Sequence, residues 1–181
     1  MNSVMRFLTS TLIVAGLLFI ALVLLVAVFL FGIGMDDWYR FAIGNLIQLE
    51  QAEEAEIAKE LAEDLTVYLQ HAVIGNFGAV FCASLVWLII ANFMPVNKPG
   101  DAGDYVWAWI VILLLGAAGS VFVTLAFLIF EADFMKPSLM VTAIFISIIV
   151  FCIVYYFIGS VLATPKHMRT AVPFAARIFR R

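Results

Sequence analysis

DDWYRFAIGNLIQLEQAEEAEIAKELAEDLTVYLQ, residues 36–70, is the one long polar stretch of a chain that is otherwise apolar. It holds nine acids (Asp36, Asp37, Glu50, Glu53, Glu54, Glu56, Glu60, Glu63 and Asp64) against two bases, Arg40 and Lys59. The apolar runs that flank it hold no Asp, Glu, Lys or Arg. Such a contrast assigns the runs to a bilayer and the stretch to the water beside it, because a charged side chain at the bilayer centre is expensive.

Working outward, composition agrees. The 181 residues are 65% hydrophobic with a mean hydropathy of +1.11, well above the roughly 45–50% apolar content of soluble domains. A spanning helix needs about 20 mainly apolar residues, and four runs qualify: residues 7–31, 72–94, 105–130 and 139–163. All five prolines, Pro95, Pro99, Pro137, Pro165 and Pro173, fall outside them, where loss of a backbone donor costs least. The runs do not alternate polar with apolar as barrel strands do. The first is longer than a signal-peptide core and no small-residue cleavage site follows it, so it reads as a retained helix. The expected fold is all-α: a polytopic membrane protein with four transmembrane helices, a long extracytoplasmic helical extension between the first and second, and one membrane domain over residues 1–181.

Loops rich in Lys and Arg stay on the cytoplasmic side. Arg6 precedes the first run, and Lys166, Arg169, Arg177, Arg180 and Arg181 follow the last with no acid among them. Both termini are therefore expected in the cytoplasm of a cell (inner) membrane, with residues 36–70 outside. Trp38, Tyr39, Tyr105, Trp107, Trp109, Tyr155 and Tyr156 lie near the run ends, where amphipathic rings favour the headgroup zone. Cys82 and Cys152 sit in different runs with no CxxC, which disfavours a disulfide or redox role.

Within the polar stretch, residues 45–74 have no Pro and no Gly until the following Gly75, and Ala, Glu, Leu and Gln predict one helix running on into the second span. Ala55, Ala58, Ala62, Leu65 and Leu69 are spaced 3, 4, 3 and 4 and share a face, with Glu53, Glu56, Glu60 and Glu63 on another. Small residues on the first face let a second helix approach. Standing upright, this helix carries Trp38, Phe41, Leu46, Ile47 and Leu49 away from the bilayer, where so apolar a stretch calls for a protein partner. Lying flat, it buries them in the interface. These five residues with the four glutamates are the expected partner-binding set.

Other chemistry is missing. No Asp, Glu, Lys, Arg or His lies inside a run, which argues against ion-coupled exporters of the small multidrug type. His71 and His167 are expected on opposite faces of the membrane, so they cannot share a haem. The extracytoplasmic stretch lacks the cysteine pair of a claudin-type junction protein. No phosphate loop, nucleophile elbow, H-E-x-x-H, EF-hand loop or Glu-x-x-His pair occurs. No cofactor, metal or nucleic acid is expected, and no enzyme activity.

Gly75 and Gly78, and Gly116, Gly119 and Ser120, give the second and third runs small-residue faces suited to close helix packing. Lys166, Arg169, Arg177, Arg180 and Arg181, interleaved with apolar residues, read as a basic amphipathic tail drawn to lipid headgroups. The expected function is that of a non-enzymatic scaffold subunit in a larger membrane assembly of the secretion, conjugation or envelope type, docking partners through the acidic segment. The alternative is a homo-oligomeric cation channel whose glutamates ring an outer vestibule. Partners are the bilayer and either other membrane or extracytoplasmic proteins or copies of the chain itself.

Overall fold

A computed structural model describes residues 3–27, 34–45, 55–95, 101–129, 138, 142, 145–146 and 154–178. Leu46, Ile47, Leu49 and Glu53, much of the fourth expected span, Arg180 and Arg181 lie outside these residues. The described residues are helical, without strands. Six α-helices are α1 (Ser3–Ala27), α2 (Met35–Asn45), α3 (Ala55–Phe93), α4 (Val106–Ile129), α5 (Phe157–Ala163) and α6 (Ala175–Ile178). Two 3-10 helices, Asp101–Tyr105 and Lys166–Ala171, precede α4 and follow α5. Among the described residues three helices, α1, α3 and α4 with the 3-10 turn before it, are long and apolar enough to cross a membrane.

The longest interface joins α3 to α4, and small residues make it possible. A Cβ on Gly75 would stand 2.5 Å from Val123 Cγ1, so α4 lies against the bare backbone of α3 at that level. One on Gly119 would meet Ala79 Cβ at 3.7 Å. Gly116 and Ser120 are buried on the same helix. Asn76 Nδ2 donates across the seam to Thr124 Oγ1 at 3.0 Å and along its own helix to the Ala72 carbonyl at 2.8 Å. Gly78 makes no close contact within the chain: it is exposed, and a Cβ there would meet nothing within 4 Å. It borders an open apolar groove between α1 and α3, lined by Leu18, Phe19, Leu22, Phe77 and Phe81.

At one end of the bundle the first turns of α1, the last turn of α3, both 3-10 helices and α5 converge. Ser10 Oγ donates to the Ala163 carbonyl at 2.7 Å, and the rings of Phe7 and Phe93 lie 5.7 Å apart. Two buried indoles clasp the α5 end. Trp87 Nε1 donates to Thr164 Oγ1 at 2.8 Å, and Trp109 Nε1 to Ser160 Oγ at 3.0 Å. Tyr156 donates its hydroxyl proton to the Trp109 carbonyl at 3.3 Å. This corrects the reading of Trp109 and Tyr156 as interfacial belt residues: both are core, whereas Trp107 is 74% exposed. A partner hydroxyl is what lets an indole be buried.

The tail is likewise more than a surface strip. Met168, Ala171, Val172 and Ala175 are essentially inaccessible and belong to the main core cluster. Lys166–Ala171 packs on Asp101–Tyr105, so the tail closes the end of the bundle while Lys166 and Arg177 remain exposed. Phe174, at φ 66, takes the left-handed backbone conformation where the chain turns into α6.

Candidate functional site

The segment that the sequence marks for docking is a two-helix hairpin. Asp36 and Asp37 occupy the first turn of α2, where negative charge complements the free N–H groups. From there α2 packs back along α3. Trp38 Nε1 donates to Thr66 Oγ1 at 2.7 Å, and Thr66 donates onward to the Ala62 carbonyl at 2.7 Å. Ala42, Ala62 and Leu65 are each 0% exposed and form a core of their own, flanked by Trp38, Tyr39, Ile43, Leu61, Tyr68 and Leu69. Of the helix expected through residues 45–74, residues 55–74 are helical and run on into the second expected span as α3, while 46–54 lie outside the described residues. The helix beside it, α2, comes from the residues before that stretch, and burial of Ala42 against Ala62 and Leu65 favours the pairing.

The helix that the stripe at Ala58, Ala62 and Leu65 invites is thus the chain's own α2. A 39-residue α3 is about 58 Å long at 1.5 Å per residue, roughly twice the thickness of a hydrocarbon core. The residues before Ala72 add about 25 Å of that length.

The outer face of the hairpin is mixed. Glu60, Glu63 and Asp64 are exposed on α3, as are Asp36, Asp37 and Arg40 on α2. Lys59 Nζ lies 3.8 Å from Glu63 Oε1 one turn away, an exposed pair that contributes little to stability. Ile57, Glu60, Asp64 and Val67, spaced 3, 4 and 3, form a solvent-facing stripe in which Ile57 and Val67 are more than two-fifths exposed. Phe41 of α2 is 52% exposed. Ile57 and Val67 were not legible as surface positions, because they look like core residues until the face that meets α2 is known. Glu56 belongs to the first turn of α3.

Among the described residues no three His, Cys, Asp or Glu side chains gather as a metal site. His71 sits exposed beside Phe127, the rings 5.8 Å apart. His167 lies at the opposite end, next to Ala91 and Arg6. The described part of the chain therefore keeps the two histidines apart.

No protein-family model, no curated protein and no solved structure matches this chain. The hairpin's geometry carries the functional argument alone.

Proposed function

We propose that the chain is a non-enzymatic subunit of a membrane assembly, anchored by four spans with both termini in the cytoplasm, that presents the α2–α3 hairpin outside as a docking element. The observation that carries this reading is the hairpin's division of labour. Its inner face is closed on Ala42, Ala62 and Leu65, so the chain needs no partner to fold it. Its outer face leaves Phe41, Ile57 and Val67 in contact with solvent among carboxylates. Exposed apolar side chains interleaved with carboxylates suit a partner surface that is itself part apolar and part basic. The residues between the two helices, Leu46, Ile47, Leu49 and Glu53 among them, extend the apolar, acidic character of that face in sequence.

Extraction in mild detergent from native membranes, followed by mass analysis, tests the proposal. Other proteins in fixed ratio are expected, released by Ile57→Ser with Val67→Ser while helix content is unchanged. A pure homo-oligomer that carries cations in liposomes would replace this reading with the channel.

A further inference from the structure

We infer that the outer face of α3 docks one transmembrane helix of another protein, a helix that leaves the bilayer beside α3 and continues along the hairpin with basic side chains. The inference deepens the docking reading above and rests on it. The solvent-facing stripe of Ile57, Glu60, Asp64 and Val67 does not stop at the hairpin. It continues through His71, Ile74 and Gly78 at spacings of 4, 3 and 4, and every one of these positions is exposed. Positions alternating three and four apart form the seam of a left-handed helix pair. At 1.5 Å per residue the line from Ile57 to Gly78 is about 32 Å long. It begins in the polar hairpin and ends within the second expected span, on one unbroken helix. Ala58, Ala62 and Leu65, which face α2, are buried about half a turn away around the same helix.

Two observations set the inner half of this line apart from a surface that meets only lipid. Elsewhere the bundle turns large side chains outward, with Leu12, Phe19, Leu115 and Phe122 each 66% exposed or more. On the α3 line the outward positions are Gly78 and, one turn on, Cys82, and small residues in a membrane let a second backbone approach. Gly78 also borders the open groove between α3 and α1, and a Cβ there would meet nothing within 4 Å. A helix can lie there without displacing any described side chain. The outer half of the line selects the occupant by charge. Ile57 and Val67, 41% and 45% exposed, call for apolar cover, and the carboxylates of Glu60 and Asp64 between them call for bases. Lys59, the one Lys or Arg of α3, is turned to Glu63 at 3.8 Å. Lipid does not reach this level, and a soluble peptide does not follow the line into the bilayer. A second copy of the chain inserts in the same direction, so its α3 runs parallel and sets Glu60 and Asp64 against the same carboxylates. Like charges so placed repel. A helix of another protein with Lys or Arg at the matching level satisfies both halves.

The test uses the full-length chain in the cells that naturally hold it. A benzophenone amino acid replaces Val67 in one variant and Cys82 in another, and after illumination the attached peptides are sequenced by mass spectrometry. Both positions are expected to capture the same polypeptide: the Cys82 position an apolar segment, the Val67 position the Lys- or Arg-bearing residues that adjoin it. Gly78→Leu projects into the groove and is expected to lower capture at Val67 roughly ten-fold, equivalent to one close helix contact. Glu60→Gln with Asp64→Asn is expected to lower it about five-fold, with circular dichroism checking that each variant is folded. Capture unchanged in both folded variants would overturn the inference. Protein at Val67 with only lipid at Cys82 would overturn the continuous helix and leave the docking hairpin standing, whereas protein at neither position would remove both. Capture of this chain's own α3 would show a homo-oligomer and overturn the choice of occupant. Two different polypeptides, or an adjoining segment without bases, would overturn it as well.

Discussion

Trp87 and Trp109 carry the chain's two fully enclosed indoles, and each depends on one hydroxyl supplied from more than fifty residues further along the chain. Thr164→Val keeps the shape of the Thr164 side chain but leaves the Trp87 N–H buried without an acceptor, a loss worth about 1–3 kcal/mol. Thermal denaturation in detergent should show it, together with a change in tryptophan emission. His167 supplies a pH response. Burial first, and the Arg6 charge second, lower its pKa from the ordinary 6.5, against a smaller opposing effect of the Ala91 backbone. The folded chain thus takes up its proton at lower pH than the unfolded chain. Stability is full above about 6.5 and falls as the pH drops through that value toward the lowered one. Melting temperature measured between pH 7.5 and 5 should decline, and His167→Gln should flatten the decline.

At the scale of the element, α3 offers a paired test in its two nearby glycines. Gly75→Ala drives a methyl into Val123, a β-branched side chain with little freedom to move. About 1–3 kcal/mol of destabilisation is expected from such overpacking. Gly78→Ala meets open space and should be neutral or stabilising by up to about 1 kcal/mol, since alanine is the better helix former. Unfolding titrations of the two variants distinguish them. The sequence treated both as packing residues, because small size shows that a close approach is possible and not which face makes it. The same limit separates Trp107 from Trp109. Residues two apart point to different sides of a helix, but only Ser160, distant in sequence, decides which one is enclosed. By contrast, the stripe of Ala58, Ala62 and Leu65 was readable from its 3.6-residue period. The helix that fills it was not, since Trp38 and Ala42 carry no mark of the partner they choose.

For the whole molecule, apolar length was the readable quantity, and α1, α3 and α4 appear where uncharged runs predicted helices. Tertiary placement of the tail was not readable: alternating basic and apolar residues look alike whether the apolar side meets lipid or, as with Met168 and Ala171, a protein core. The proposed topology makes a direct prediction. With Cys82 and Cys152 replaced by serine, Asp37→Cys should react with an impermeant maleimide on intact cells, and Thr170→Cys only after the cells are opened. The reverse pattern would invert the orientation.

The same α3 that is clasped by α2 near Ala62 also contributes Trp87 to the clasp on Thr164. The two fastenings are therefore 25 residues apart on one unbroken rod. Force applied to the hairpin has no hinge in which to dissipate before it reaches Trp87, so a partner that tilts the outer end works a lever whose short arm bears on the tail.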